Sequence, residues 1–321
     1  MAEAAPTLVV SDLAVEIAGD HGIARILDGV SVTVRPGEVT GVVGESGCGK
    51  STLVRAVLGI LPKGARVPRG AVLFRGHDIL GDPGHARGRI GFIPQDPYLS
   101  LNPVFRAGDQ ILEIMRRHAP GSRAAHRSRL VELLRAVQIP EPEAALAKYP
   151  HQFSGGQRQR LLIGAALSCE PDLIVADEPT TALDVTTQRE ILALLSRLAR
   201  ERGLAMLFVT HDFGVVAGLC DSVTVLYAGR IAESGPVRDV LDRPRHPYAR
   251  MLLACHPDRA ADLAGIPGTV PPATSQPEGC RFHPRCPIAV PACAAEVPEA
   301  AAIAPARRVA CPRHAMELPV G

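Results

Sequence analysis

The sequence predicts an α/β fold built around a phosphate-binding loop, and three features carry that prediction. Short apolar segments with strand texture alternate with amphipathic helical stretches over much of the chain. A glycine-rich octapeptide, Gly44-Glu45-Ser46-Gly47-Cys48-Gly49-Lys50-Ser51, lies between an apolar strand and a helix. A second apolar strand, Leu173-Ile174-Val175-Ala176, runs into two carboxylates, Asp177-Glu178.

Residues 7–43 read as β structure. Leu8-Val9-Val10 and Leu13-Ala14-Val15-Glu16-Ile17 lead to a turn at Gly19-Asp20-His21-Gly22, and Val30-Ser31-Val32-Thr33-Val34 alternates at period two. Pro36-Gly37 then turns the chain into Val39-Thr40-Gly41-Val42-Val43, and a helix is expected from Lys50 to Gly59. Leu130, Leu133, Leu134 and Val137 share one helical face, within a helical insert expected at about residues 104–170. Strand texture returns at Ile90–Ile93, Asp172–Ala176, Ala205–Val209 and Ser222–Leu226, with a helix carrying Ile191, Leu194, Leu195 and Leu198. After Cys255 the texture shifts to Pro, Ala and Cys, so the expected division is residues 1–255 and 256–321.

Hydrophobic residues make up 46% of the 321 and charged residues 21%, which fits a folded chain and excludes a disordered one. The net charge of +2 and an aromatic content of 3% argue against a nucleic-acid surface, which needs a basic footprint or stacking rings. No apolar run reaches the roughly 18–20 residues that span a bilayer. Met1-Ala2-Glu3-Ala4-Ala5-Pro6 has no basic segment before an apolar one, so no signal peptide is expected. The expectation is therefore a cytosolic chain whose cysteines are thiols or metal ligands.

The octapeptide fits G-x4-G-K-[ST] in the strand–loop–helix context the motif requires. Its glycines let successive N–H groups face phosphate oxygens, and the following helix adds the positive end of its dipole. Gly44 through Ser51, with Thr52, form the candidate nucleotide-binding set. In it Lys50 neutralises the β- and γ-phosphates and Ser51 offers its hydroxyl to Mg²⁺. Asp177 can hold that ion through water, and Glu178 can orient or deprotonate a water.

Further elements follow in a fixed order: Gln95 after the strand Ile90–Ile93, then Phe153-Ser154-Gly155-Gly156-Gln157, Thr181-Ala182-Leu183-Asp184 and Val209-Thr210-His211-Asp212. Together with the phosphate loop they resemble the ATP-binding-cassette (ABC) ATPases across residues 7–255. The resemblance implies a P-loop ATPase core with a β subdomain and a helical subdomain, two of which close on two ATP molecules. Ser154, Gly155, Gly156 and Gln157 would grip the γ-phosphate held by the opposing cassette, and Asp184 would reach across. Gln95 would sense Mg²⁺ and the attacking water, Glu178 would be the general base, and His211 would keep base and phosphate in register.

Gln95-Asp96-Pro97, Ser100-Leu101-Asn102-Pro103, Tyr149-Pro150-His151-Gln152-Phe153 and His246-Pro247-Tyr248 are similar to the dipeptide, oligopeptide and nickel permease subfamily, in its D-type ATPase subunits. That likeness implies an importer ATPase for peptides, with nickel or another small solute as the alternative cargo and a soluble ABC ATPase as the remoter one. It also implies a second ATPase subunit (a paralogue or a second copy), two transmembrane permease subunits, an extracytoplasmic solute-binding protein, and a peripheral place on the cytoplasmic face of the inner membrane. Two departures concern the nucleotide site. An aliphatic surface near Ile17 stands where the family usually stacks an aromatic on adenine, and Thr181 replaces the commoner Ser.

Cys280, Cys286, Cys293 and Cys311 are separated by 5, 6 and 17 residues. Four thiolates suit Zn²⁺ or an iron–sulfur cluster, and no close C-x2-4-C pair of the usual zinc kind is present. The tail Gly279-Cys280-Arg281-Phe282-His283-Pro284-Arg285-Cys286-Pro287 resembles the subfamily's C-terminal extension, where such cysteines are associated with [4Fe–4S]. The expected states are that cluster, zinc or free thiols, with Arg281, Arg285 and Arg308 balancing a cluster's negative charge.

Overall fold

Two sheets, of four and eight strands, organise the computed structural model, which describes residues 5–19, 22–255 and 265–315. The chain begins with the antiparallel pair β1 (Leu8–Gly19) and β2 (Gly22–Val34), in register at Val10–Val32 and Ile17–Ala24. Asp20 and His21 of the expected turn lie outside the described residues. β3 (Val39–Val43) is buried at all five positions and feeds through the glycine-rich loop into α1 (Lys50–Val57). The chain then returns as β4 (Ala65–Phe74) and β5 (His77–Asp78), which complete the small sheet in the order β2-β1-β4-β5.

β6 (Ile90–Ile93) opens the larger sheet and precedes the helical insert: α2 (Ala107–His118), α3 (Arg123–Ala136), α4 (Pro142–Ala145) and α5 (Gly155–Leu167). Then come β7 (Leu173–Asp177), α6 (Val185–Arg202), β8 (Ala205–Thr210), α7 (Phe213–Leu219) and β9 (Ser222–Tyr227). β10 (Arg230–Pro236), α8 (Val237–Asp242), α9 (Pro247–Ala254), α10 (Pro291–Ala295), β11 (Ala301–Ala304) and β12 (Arg307–Val309) complete the described chain. The sheet order is β11-β12-β10-β9-β3-β8-β7-β6. The strands β9, β3, β8, β7 and β6 run parallel, and being covered on both faces they read as continuous apolar runs.

Register sets the site. Val209 on β8 lies opposite both Val42 on β3 and Asp177 on β7. The residues that follow these strands therefore emerge at one rim, the carboxyl ends of a parallel sheet, where such folds bind ligands.

Three apolar cores hold this arrangement. Leu53, Val54 and Val57 of α1 pack between the sheets, against Leu8, Phe74 and Leu207. The stripe Leu130, Leu133, Leu134 and Val137 and the stripe Ile191, Leu194, Leu195 and Leu198 are buried together, as their spacing predicts. Tyr227, Tyr248 and Phe282 form the third, which joins the C-terminal region to β9 and α9.

That region also extends the large sheet, since β12 pairs with β10. Glu233 on β10 is fully buried; it accepts 2.6 Å and 3.2 Å bonds from Arg307 on one oxygen and the N–H groups of Arg245 and His246 on the other. Arg307→Ala leaves that carboxylate without its counter-charge and is expected to lower stability by about 3–5 kcal/mol, measured by chemical denaturation.

Candidate nucleotide-binding site

The glycine-rich loop folds back on itself through Gly47 (φ 78°) and Gly49 (φ 109°), conformations that glycine adopts without steric cost. A side chain at Gly44 would place its Cβ 2.1 Å from the Leu226 carbonyl oxygen, so the loop passes β9 at backbone distance. Lys50, only 6% exposed, donates to the carbonyls of Gly44 (2.8 Å) and Glu45 (3.2 Å). Its ammonium also lies 3.7 Å from Glu178 Oε1. Cys48 is buried, which pushes its thiol pKa up, and its carbonyl accepts from the Gly229 N–H. Ser46, Gly47 and Ser51 are exposed, and the Thr52 N–H bonds Gly49 within the first turn.

Asp177 Oδ1 is buried without a hydrogen-bond partner. Burial, and then the Glu178 charge, raise this carboxyl's pKa, against a hydrogen bond with Ser51. An orphan carboxylate oxygen beside a serine hydroxyl and a phosphate loop suits a hydrated Mg²⁺, a hard cation that takes oxygen ligands. The residues present fit that ion.

Glu178 sits at φ 46°, with its N–H bonded to the Val209 carbonyl at 2.8 Å. Its Oε2 accepts from Thr181 Oγ1 (3.1 Å), His211 Nδ1 (3.1 Å) and Gln95 Nε2 (3.5 Å), while Oε1 faces Lys50. The His211 bond lowers the Glu178 pKa despite burial, and the same bond raises that of His211. The Thr181 contact was not foreseen: the motif marks Thr as a variant of Ser, and the structure shows that its hydroxyl steadies the carboxylate.

The structure thus gathers Gln95, Lys50, Ser51, Asp177, Glu178 and His211 at one rim. Ser154 instead caps α5 and exchanges bonds with Gln157: Gln157 N–H to Ser154 Oγ (3.2 Å) and Ser154 N–H to Gln157 Oε1 (3.1 Å). Gly155 and Gly156 leave room for Tyr98 and Thr187, since a Cβ at either would stand within 2.7 Å of those side chains. Asp184 caps α6, accepting from the Thr187 N–H (3.0 Å) and hydroxyl (2.7 Å). Ser154 is exposed at the start of its helix, an N-terminus suited to an anion brought from outside.

Cys280, Cys286, Cys293 and Cys311 all line one cavity of about 440 Å³, with Ile288 and Val290. Burial raises the thiol pKa values of Cys280 and Cys311 and pushes Cys286 up to about 11. Among the described residues no three His, Cys, Asp or Glu side chains are arranged to hold a single metal ion. The expectation that Arg281 and Arg285 balance a cluster's charge is corrected. Arg281 bonds the buried Asp28 at 2.7 Å and Arg285 bonds the half-buried Glu45, because these carboxylates supply their counter-charges, and Arg308 donates to the Ala300 carbonyl.

Comparison with known proteins agrees with this geometry. Residues 27–181 match the family described as ABC transporter, and residues 232–293 match the oligopeptide/dipeptide transporter C-terminal region. The probable D,D-dipeptide transport ATP-binding protein DdpD of Escherichia coli K12 is 43% identical over 95% of this chain and 96% of its own length. The oligopeptide transport ATP-binding protein OppD of Salmonella typhimurium LT2 is 44% identical over 89% of this chain and 88% of its own. Among solved structures, CbiO1 of Clostridium perfringens, part of the ABC transporter complex CbiONQ, superposes with TM-score 0.64 at 30% identity, covering 74% of this chain and 91% of its own. The dimeric cassette MJ0796 bound to ADP and Pi superposes with TM-score 0.63 at 27% identity, covering 72% of this chain and 99% of its own.

The Glu178–His211 pair carries a pH signature. Glu178 titrates below its ordinary 4.5 and His211 above its ordinary 6.5. The pair's stabilisation is lost as pH falls through the folded Glu178 value or rises through the folded His211 value. Glu178→Gln is expected to lower the His211 pKa, measured by NMR titration of the imidazole.

Proposed function

The chain belongs to the ATP-binding subunits of the ABC transporters, and we propose that it hydrolyses ATP to drive import of di- or oligopeptides. The observation that carries the mechanism is the Glu178 carboxylate, placed between Lys50, Thr181, His211 and Gln95 at the mouth of the phosphate loop. The Gly44–Thr52 backbone and Lys50 bind the β- and γ-phosphates. Ser51, Asp177 and Gln95 would hold Mg²⁺, which would supply neutralisation of the phosphate charge. Glu178 accepts a proton from the water that attacks the γ-phosphorus, and His211 keeps that carboxylate aimed. The products are ADP and phosphate.

Ser154, Gly155, Gly156 and Gln157 serve the nucleotide of an opposing cassette, with Asp184 at the same seam. Ser154 is exposed at the start of α5, a helix N-terminus suited to an anion from outside its own cassette, which supports a composite site assembled from two cassettes. Residues 1–255 form the cassette, with its helical insert at 104–170, and residues 256–321 the extension. Among the described residues no helix is long and apolar enough to cross a membrane. The likeness to dipeptide and oligopeptide transport ATP-binding proteins supports a cassette that works with a paralogous or identical ATPase subunit, two permease subunits and an extracytoplasmic solute-binding protein, at the cytoplasmic face of the inner membrane. The four cysteines hold a [4Fe–4S] cluster, a reading supported by their shared cavity.

Glu178→Gln is expected to slow ATP turnover by about 10²–10⁴-fold while MgATP binding persists. In the native host it should abolish uptake of labelled di- and oligopeptides with the protein still at the membrane. Uptake unchanged in a strain lacking other peptide permeases contradicts a peptide cargo. Anaerobically purified protein is expected to contain iron and acid-labile sulfide in equal amounts, lost in Cys286→Ser, and absence of both contradicts the cluster.

A further inference from the structure

Glu45, the second residue of the phosphate loop, is held by groups that lie some 200 residues and more away in sequence. Arg285 donates Nη1–H to Glu45 Oε2 at 2.8 Å and Nη2–H to Oε1 at 3.1 Å, the paired geometry in which guanidinium and carboxylate fix each other's orientation. The remaining donors are also placed: Nε–H on the Pro267 carbonyl (2.9 Å), Nη2–H on the Ile266 carbonyl (3.0 Å) and Nη1–H on Tyr227 Oη (3.3 Å). The Arg285 side chain is only 4% exposed, so it is a fixed strut rather than a surface charge that solvent could replace. The backbone of Glu45 is held as well. Its N–H donates to the hydroxyl of the buried Tyr248 at 3.0 Å. Its carbonyl accepts from Lys50, so the clamp at residue 45 touches the phosphate-binding lysine directly.

We infer that Arg285 is a positioning residue of the nucleotide site: through Glu45 it holds the phosphate loop and Lys50 in the shape that receives phosphate. The C-terminal extension is thereby part of the nucleotide-binding unit. Arg285 ends the turn His283–Arg285 and is followed at once by Cys286 in the cavity wall, so one turn bears on both sites. This inference rests on the loop being the ATP site.

The sign of one substitution separates this role from a direct one. If Glu45 acted on ATP itself, removing its negative charge would tighten binding of an anion. If it is the anchor for Arg285, removing that charge loosens the loop and weakens binding.

The test uses the full chain, measuring the MgATP dissociation constant with a fluorescent ATP analogue and hydrolysis at saturating ATP. Arg285→Ala, Glu45→Gln and the double variant are each expected to weaken MgATP binding about tenfold, and in Arg285→Ala the saturated rate stays within about twofold of wild type. The double variant should be no worse than either single, because both remove one linkage, and Arg285→Lys should rescue only partly because a lysine cannot make the paired bonds. The inference is overturned if Glu45→Gln binds MgATP as tightly as wild type or tighter, or if the two effects multiply. Should Arg285→Ala not fold, Glu45→Gln decides alone. A wild-type chain that neither binds nor hydrolyses ATP contradicts the ATPase reading instead, and is seen before any variant is compared.

Discussion

Lys50 is carried inward at the first turn of α1, where its ammonium meets two loop carbonyls and a carboxylate in place of water. A buried cation is tolerated only where acceptors are supplied, and each acceptor here constrains a different part of the chain. The Gly44 and Glu45 carbonyls are within reach because the loop reverses at Gly47 and Gly49 and because Gly44 has no Cβ to strike Leu226. The Glu178 carboxylate is within reach because β7 and β3 both flank β8 in register, and because Glu178 takes a left-handed conformation that costs about 1–3 kcal/mol. Val209 and Thr181 hold it there. The carboxylate that solvates Lys50 thus also lies at the mouth of the phosphate loop, where the proposed reaction needs a proton acceptor.

Much of this frame is legible in the sequence because it is set by local rules. The parallel strands are apolar along their length since both faces are covered, and the stripes on α3 and α6 have the spacing of one buried helix face. The phosphate loop and the Ser154 cap can be read for the same reason: each demands a backbone geometry that only certain residues at certain spacings permit. β4 is hidden by Pro68 and Gly70, which interrupt its alternation, and β10 by Glu233, a charge that reads as exposed yet is fully buried. β12 is three residues long with two arginines, and its place between β10 and β11 depends on Arg307 finding Glu233. Such pairings leave no local trace.

The arginines of the extension show the same limit most sharply. Charge and proximity in sequence assign Arg281 and Arg285 to the neighbouring cysteines. The fold turns both away, onto Asp28 on β2 of the small sheet and Glu45 in the phosphate loop. Asp28 takes Arg230, Arg69 and Arg281 together; burial works to raise its pKa, but the Arg230 bond and the charges of Arg230, Arg281 and Arg25 hold it below the ordinary value. Ion pairs of this kind fasten the C-terminal region to the cassette at both sheets, whereas the cysteines face their own cavity.

In the proposed site Lys50 trades loop carbonyls for phosphate oxygens. Calorimetric titration of MgATP into wild type and Lys50→Met tests this directly, since Met fills the space of the lysine stem without its charge. Wild type is expected to bind saturably and the variant to lose about a hundredfold or more in affinity, with the fold intact by circular dichroism. Equal affinity in the two proteins would contradict that exchange.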